Sequence, residues 1–519
     1  MSNIRKRTRR LCAMRTKTFS ICVVLTAACA VAETEVVWKG GGTTAAWSNG
    51  TNWENNTPPA AGDVAVLPDG MTVRVGPTDV AYIEAAATKP AGIRMMGDGT
   101  RFVIANLTAA TTFDVPLIGR GEFQHRDSTK NGGYLLDLAG DNREFAGSFL
   151  ISNAGVRVNS DYALGTTNVV RYFGSSSQKN YFQFKTGHVS SNEFHVSEEW
   201  LLFGSVGAKL YGPVYLYSTV RAEGNGANAT LELLGGIEYK TDTGAFRPGN
   251  TCRLGGTKPI ILGSHDLELK RGKLYLAGVI ESVNMLSVNS ESTPLYFERA
   301  NVLPATAKLR LGYSTKTGWA DLGGYDQRCG EFAVWQAAMT PEGTYLTSER
   351  PATFTICDKG PSSFNGLLEG AVSLELNSTN SATAGAIGLA GTNNTTTGSL
   401  IVRRGTMTLN AAARFPQLSS LVVSGDGKMI VNTAEIGNGA DAKGLCVVAT
   451  NAVEGALNIA NGVNLQADTM VVGNERWLDT GVYGGPNSTA PNKLTCLTGT
   501  GTVSVKRYGG KKGLMILLK

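Results

Sequence analysis

The chain has 519 residues, of which 64 are glycine and only 17% are charged. This composition, together with recurring Thr, Asn, Ser and Val, favours short β-strands joined by turns and disfavours a helical fold. The formal net charge is +6, but residues 1–32 contain seven basic residues and no acidic residue. Subtracting these seven charges leaves the rest of the chain at −1, so the charge gives no support for nucleic acid binding.

Residues 1–32 have the three parts of a secretory signal peptide. A basic start is followed by an apolar run at 19–28 and by the small-residue sequence Ala30-Val31-Ala32. The apolar run is short for a membrane span. We therefore expect residues 1–32 to be removed, leaving no membrane span, and the protein to be extracellular or on the cell surface, with the periplasm as a further destination.

Two other export routes stay open from the same residues. Cys29 follows a short apolar sequence and is the residue that a lipoprotein signal would acylate. Arg9 and Arg10 form a lone twin-arginine pair. Both sequence contexts are weak, so we expect cleavage by signal peptidase.

Three tryptophans, Trp38, Trp47 and Trp53, stand close together after this segment. A β-solenoid must cover the open apolar end of its first turn, and three indoles would provide such a cap. The alternative is glycan contact, because the face of an indole suits the C–H face of a sugar ring. We assign residues 33–70 to a Trp-rich N-terminal cap and first rung, where a rung is one turn of the solenoid.

Two stretches further along the chain follow one scheme. Residues 136–159 and 387–410 align without a gap at an offset of 251 residues. Each contains a short apolar strand, Gly-x-Asn, a polar turn, Gly-Ser and two further strands. One such unit cannot bury its own apolar face, so units must stack. We expect an all-β fold, a single elongated parallel β-helix over 71–505 with rungs of about 20–30 residues, and a closing strand or tail at 506–519.

The repeat also predicts the roles of single residues. Gly140 and Gly147 would take positive φ at corners, and Asn142 and Asn393 would tolerate left-handed geometry and bond to their own backbone. Alternation along the strands assigns one face to the core. Eight side chains are expected to point inward: Leu138, Leu150, Val156, Val158, Leu389, Ile401, Met407 and Leu409.

Several of these segments resemble one family. The W-x-G and W-x₅-W spacing of the tryptophans, the Gly140-x-Asn142 unit, the segment 321–334 and the ending 481–505 are similar to secreted bacterial proteins with autotransporter-associated β-strand repeats. The resemblance implies a right-handed parallel β-helix, secreted or on the cell surface, usually without demonstrated activity. The last residues offer one or two strands, so we do not expect the membrane barrel that ends a full autotransporter.

The acidic residues do not suggest a catalytic pair. Glycoside hydrolysis needs two carboxylates across the scissile bond. Asp137 and Asp141 are near each other, but their counterparts in the second repeat are Gly388 and Thr392. The two carboxylates are therefore not part of the repeated scaffold, and we predict no catalytic residues.

One local cluster contains residue types that bind metal ions. His195 is followed by Glu198 and Glu199, but no second histidine accompanies them, which makes a weak ligand set. We predict neither a metal nor a cofactor. Five cysteines follow residue 32, none of them in a C-x-x-C pair, and their odd number favours isolated thiols with one disulfide as the alternative. They are Cys252, Cys329, Cys357, Cys446 and Cys496.

Two classes of function are compatible with these observations. The first is a monomeric, non-enzymatic solenoid with a structural or adhesive role, whose partners would be extracellular polysaccharide, matrix or other cell-surface molecules. The alternative is a carbohydrate-binding or carbohydrate-active β-helix, a polysaccharide lyase or hydrolase. A groove holding two or more acids and a stacked aromatic side chain would favour the second class.

The first testable prediction concerns export. The mature protein should begin near Glu33, because the small-residue sequence before it fits signal peptidase. N-terminal sequencing of the extracellular protein measures this directly. A cytoplasmic product that keeps residues 1–32 would contradict the prediction.

Overall fold

The computed structural model describes residues 34–127, 134–174, 182–197, 207–223, 230–289, 294–312, 317–334, 343–360, 364–379, 385–440, 444–450, 456–473 and 476–509. The predicted signal peptide and the end of the predicted tail lie outside these ranges. The fold is all-β with 4% helix, and mostly parallel strands form a β-solenoid of about 14 turns. The predicted fold class is therefore confirmed.

The strands of the described residues form four sheets, and the first two lie within residues 35–282. The first sheet has twelve strands: Glu35–Val37, Val64–Leu67, Thr72–Val75, Gly92–Ala105, Leu117–Arg126, Ser148–Ser152, Val169–Phe173, Glu193–Ser197, Val214–Leu216, Ile237–Tyr239, Ile260–Ile261 and Ile280–Ser282. The second sheet has four strands: Thr111–Phe113, Leu136–Leu138, Val156–Val158 and Phe182–Phe184.

The other two sheets continue to the C-terminal end. The third has 23 strands: Val189–Ser190, Ala208–Leu210, Val220–Glu223, Thr230–Leu233, Ala245–Gly249, Thr251–Leu254, Asp266–Leu269, Lys273–Leu276, Met285–Val288, Pro294–Phe297, Lys308–Leu311, Trp319–Asp321, Gln327–Val334, Tyr345–Lys359, Leu367–Asn377, Ala386–Leu389, Ser399–Leu409, Ser420–Val431, Cys446–Ala449, Leu457–Ile459, Thr469–Val472, Arg476–Trp477 and Leu497–Thr498. The fourth has four strands: Asn464–Ala467, Gly481–Gly484, Asn492–Lys493 and Thr502–Val505.

The strand register shows the predicted rung period. Paired residues in successive rungs are mostly 19 to 29 apart in the chain, as for Asp266 with Met285 and Glu35 with Val64. Antiparallel pairing appears near the C-terminal end, where Gly481–Gly484 lies against Thr502–Val505. The parallel stack therefore closes with a strand of opposite direction.

The three clustered tryptophans belong to the core at the N-terminal rungs. Trp47 packs on Phe102 with ring centroids 5.8 Å apart, and its backbone N–H donates to Oδ1 of Asp79 at 2.9 Å. Asp79 belongs to the α-helix Pro77–Glu84, which sequence reasoning missed and which buries Val80 in the same core. Two short 3₁₀ turns, Gly50–Asn52 and Glu54–Asn56, lie in the same N-terminal region.

Six of the eight residues predicted to face inward lie in the core cluster, and two do not. In Ser148–Ser152 the buried residues are Phe149 and Ile151, so Leu150 points to the partly exposed face. In the second repeat Leu400 and Val402 are fully buried, and Ile401 lies outside the core cluster. An uninterrupted apolar run does not show which of its residues face the core. The serines at the two ends of Ser148–Ser152 indicate the outward positions better.

The repeat glycines have a different role from the predicted one. Gly140 and Gly147 do not have positive φ. A Cβ on Gly147 would lie 2.1 Å from the carbonyl oxygen of Gly121, and one on Gly398 would lie 2.0 Å from that of Val372. The preceding rung passes so close to these corners that no side chain fits.

The asparagine of the repeat joins three rungs. Asn142 is 2% exposed, and its φ is not positive. Its Oδ1 accepts from the backbone N–H of Leu117 at 2.7 Å, and its Nδ2 donates to the carbonyl of Ala163 at 2.6 Å. The side chain therefore replaces backbone hydrogen bonds at a corner, where strand pairing stops.

The counterpart of Asn142 in the second repeat is Asn394, not the predicted Asn393. Oδ1 of Asn394 accepts from the N–H of Leu368 at 2.8 Å, and its Nδ2 donates to the carbonyl of Arg414 at 2.9 Å. Asn393 is exposed. The polar turn absorbs a shift of one residue, which a gapless alignment cannot show.

Gln327, in the segment 321–334, is also a buried amide that bonds to backbone groups, but its partners Val302 and Arg299 both belong to the preceding rung. Its Oε1 accepts from the N–H of Val302 at 3.0 Å, and its Nε2 donates to the carbonyl of Arg299 at 2.6 Å. The side chain is 1% exposed. The Asn and Gln positions of these repeats therefore hold a buried side-chain amide at the corner of a rung.

The second testable prediction compares two neighbouring asparagines. Asn394→Ala removes the bridge and leaves the buried N–H of Leu368 without its acceptor, which should lower the free energy of unfolding by about 1–3 kcal/mol. Asn393→Ala, at an exposed position, should change it by less than about 0.5 kcal/mol. Urea unfolding followed by circular dichroism measures both. Equal midpoints for the two variants would contradict the assignment.

Candidate functional site

The three tryptophans proposed for glycan contact are buried. Trp47 and Trp53 are fully buried, and Trp38 is 5% exposed. The ring centroids of Trp47 and Trp53 are 4.7 Å apart, and those of Trp38 and Trp53 are 4.9 Å apart, both in edge-to-face contact. Nε1 of Trp53 donates to the carbonyl of Trp47 at 2.8 Å. Their faces pack against protein, which favours the cap over sugar stacking.

His195 forms a different cluster from the one predicted. Glu198 and Glu199 lie outside the described residues. Nε2 of His195 is 2.6 Å from Oε1 of Glu193, and Nδ1 is 2.9 Å from the phenol oxygen of Tyr217. In the tautomer that satisfies both contacts, Nε2–H donates to Glu193 and Nδ1 accepts from the hydroxyl of Tyr217. Sequence reasoning missed both partners.

A cleft of about 260 Å³ lies beside this group. Its wall includes Tyr211, which is 52% exposed, together with Tyr215 and Glu238. The ring centroids of Tyr215 and His195 are 4.9 Å apart. When a carboxylate, an imidazole and a hydroxyl are hydrogen-bonded in series, the imidazole can accept the proton of the hydroxyl. The hydroxyl oxygen can then act as a base or nucleophile.

Carboxylates on the outer faces form ion pairs with cations of neighbouring rungs. Glu232 is 3.0 Å from Lys209 and 3.3 Å from Arg253, and Arg253 is also 2.7 Å from Glu298. Each exposed pair contributes little alone. Further pairs of this kind are Arg247–Glu268, Lys308–Glu331 and Arg403–Glu375. These carboxylates join rungs and do not form the opposed acid pair of a glycosidase.

The two aspartates of the first repeat bind different arginines. Oδ2 of Asp137 is 3.4 Å from Arg157, and Oδ2 of Asp141 is 2.6 Å from Arg143. The hydrogen bond from Arg143 lowers the pKa of Asp141, whereas burial raises the pKa of Asp137. Each carboxylate has its own structural partner, so the geometry offers no shared site.

Four aromatic side chains on the outer face form what we call the aromatic column: Tyr275, Tyr296, Trp319 and Tyr345. Each comes from a successive rung of the third sheet and is partly exposed. Ring centroids of Tyr275 and Tyr296 are 4.7 Å apart, those of Tyr296 and Trp319 are 5.7 Å apart, and those of Trp319 and Tyr345 are 4.9 Å apart. The column is a continuous aromatic surface that sequence reasoning missed.

The other histidines have structural positions. Burial lowers the pKa of His125 and of His188 to about 4. The ring of His265 stacks on Tyr239 at 3.9 Å. In the part of the chain that the structure describes, no three His, Cys, Asp or Glu side chains are grouped to hold a metal ion.

The five cysteines are free thiols, as the odd count favoured. Cys252, Cys329 and Cys496 are buried, and burial raises the pKa of Cys252 to about 12. A thiol held in that protonated form is a poor nucleophile. The three buried cysteines therefore belong to the packing of the rungs.

Comparisons with known proteins do not extend these observations. No family model matches the chain, and neither the curated proteins nor the solved structures contain a match. The resemblance to autotransporter-associated repeats therefore depends on the residues of the chain itself. Within the described ranges, no helix combines the length and the apolar character that crossing a bilayer requires.

The third testable prediction is acid sensitivity from buried histidines. Burial lowers the pKa of His188 from 6.5 to about 4, and its ring stacks on Phe184 with centroids 4.9 Å apart. The unfolded chain takes up a proton near pH 6.5, whereas the folded chain does so only near pH 4. The free energy of unfolding should therefore fall between about pH 6.5 and 4.

His188→Leu isolates this contribution. The variant has no group to protonate at this position, so its loss of stability between pH 7 and pH 4.5 should be smaller than that of the wild-type protein by about 2 kcal/mol. Urea unfolding at the two pH values measures the difference. The same loss in both proteins would contradict the prediction.

Proposed function

We propose that this protein is a non-enzymatic, secreted or cell-surface β-solenoid with a structural or adhesive role. The aromatic column is the observation that carries the proposal, since it repeats one kind of side chain on successive rungs of an outer face. Weak contacts that repeat along a surface add up on an extended ligand. An extracellular polysaccharide or matrix polymer is such a ligand, and other cell-surface molecules are further partners.

The N-terminal sequence and the family resemblance support the location of this activity outside the cytoplasm. Residues 1–32 carry the signal pattern, and the Gly140-x-Asn142 unit resembles repeats of secreted bacterial proteins. We extend the same proposal to a right-handed coil, which the resemblance implies, and to a monomeric state.

The ion pairs on the outer faces support a role without catalysis. Carboxylates such as Glu232 and Glu268 are held by cations from adjacent rungs. A general acid for glycoside cleavage needs a raised pKa and a second carboxylate opposite it. In Glu268 the hydrogen bonds from Lys270 and Arg247 outweigh burial, and its pKa is lowered.

A carbohydrate-active enzyme is the second candidate, and one observation favours it. In the Glu193–His195–Tyr217 group, the ring of His195 contacts Tyr215, which lines a cleft that also includes the exposed Tyr211. A tyrosine whose proton passes to histidine is suited to proton abstraction from a sugar ring. This candidate makes a distinct prediction, because it requires turnover.

The fourth testable prediction separates the two candidates. The purified mature protein should bind at least one polysaccharide on a glycan array and release neither reducing nor unsaturated ends from it, because the outer carboxylates are engaged between rungs. Array fluorescence measures binding, and absorbance and reducing-end assays measure release.

Tyr217→Phe is the matched control for this experiment. The change removes the phenol oxygen next to His195 and keeps the ring, so binding should be unchanged if the surface is adhesive. Turnover by the wild-type protein that Tyr217→Phe abolishes would overturn the proposal in favour of the enzyme.

A further inference from the structure

We infer that the aromatic column binds a linear glycan that carries free amino groups. The inference rests on the proposed function, because it names the ligand class of the attachment surface. Its basis is the combination of aromatic rings and carboxylates on one outer face, in an arrangement that repeats from rung to rung.

Strand register places the aromatic column and two carboxylates together. Tyr296 is paired with Tyr275 on one side and with Asp321 on the other. The line continues from Asp321 through Thr347 to Glu369. Residues at equivalent positions of adjacent parallel strands lie about 4.8 Å apart, so rings and carboxylates form one stripe along the solenoid.

The charge of this stripe is negative at its C-terminal end. Glu298, near Tyr275, is neutralised by Arg253 at 2.7 Å. Asp321 uses one oxygen to accept from the backbone N–H of Gly323 at 2.8 Å. Burial raises the pKa of Glu369, and no described Lys or Arg forms an ion pair with it. A cationic ligand group at this end would stabilise both carboxylates.

The same carboxylates affect the pKa values of the tyrosines in the aromatic column. Burial raises the pKa of Tyr345, and the nearby charges of Glu369 and Asp321 raise it further. Burial and the charge of Asp321 also contribute to the raised pKa of Tyr296. The aromatic rings and the acids are therefore close enough to act on one ligand.

An amino-bearing glycan satisfies each feature of the stripe. Ammonium groups are attracted to the faces of Trp and Tyr rings and to carboxylates. Sugar rings bring the apolar C–H surface and the hydroxyl groups that partly exposed aromatic side chains and Thr347 can contact. A linear polymer can present such groups on successive rungs, and an acidic polysaccharide would be repelled by Asp321 and Glu369.

The ligand comparison uses three probes of matched length: a β-linked glucosamine oligosaccharide, its N-acetylated form and a galacturonate oligosaccharide. The glucosamine oligomer should bind at least about tenfold more tightly than the acetylated one, since acetylation removes the charge and keeps the ring. Its affinity should fall with added salt. The galacturonate oligomer should bind most weakly. Calorimetry or surface plasmon resonance measures all three.

The variant comparison tests the location of the site. Trp319→Ala should weaken binding of the glucosamine oligomer by about tenfold. The double variant Asp321→Asn, Glu369→Gln keeps the shape of the side chains and should remove the preference over the acetylated form. Tyr508→Ala is the control, because Tyr508 is a 56% exposed tyrosine outside both the aromatic column and the cleft. Circular dichroism confirms that each variant is folded.

The contradicting outcomes are distinct. Equal binding of acetylated and free-amine oligomers, or oligolysine binding as tightly as the glucosamine oligomer, would overturn the inferred ligand. Unchanged glucosamine binding by the column variants, with polymers still bound on the array, would overturn the site and leave the proposed function intact. No polymer bound by the folded wild-type protein would contradict the proposed function itself.

Discussion

The close spacing of successive rungs is the constraint on which the rest of the structure depends. Parallel strands lie about 4.8 Å apart, and this distance must be kept at the corners as well as along the strands. Gly147 has no room for a Cβ beside the carbonyl of Gly121. Asn142 fills the gap in the hydrogen-bond ladder at another corner by bridging Leu117 and Ala163. On the outer faces the same spacing brings side chains of adjacent rungs into contact, so ion pairs and the aromatic column are both products of the stacking.

The fold could be predicted from the sequence because strand alternation and the repeat depend on local residue order. Val156 and Val158 alternate with polar neighbours, and both are fully buried. The prediction that Leu150 points inward was wrong, because Leu150 lies within an apolar run. In such a run, alternation does not show which residues face the core. The prediction that Asn393 is the counterpart of Asn142 was wrong, because turns tolerate a shift of one residue. Only the hydrogen bonds of Asn394 identify the corner amide.

The candidate site could be predicted only in part, because its residues are far apart in sequence. Tyr217 bonds to His195 from 22 residues further along the chain. The rings of the aromatic column follow each other after 21, 23 and 26 residues, so no fixed period aligns them before the strand register is known. Clustered tryptophans were conspicuous in the sequence, yet their burial assigns them to packing. An outer surface built by register, and not by a local motif, carries the proposed attachment of a polymer.

The structure depends on the replacement of backbone hydrogen bonds by side-chain amides at the rung corners. Hydrogen exchange resolved to single residues tests it most directly in the wild-type protein, at the backbone N–H groups of Leu117 and Leu368. Their acceptors are Oδ1 atoms of Asn142 and Asn394 in the following rung. We expect both N–H groups to be protected to the same degree as N–H groups inside the neighbouring strands. Exchange of both at the rate of solvent-exposed N–H groups would contradict it.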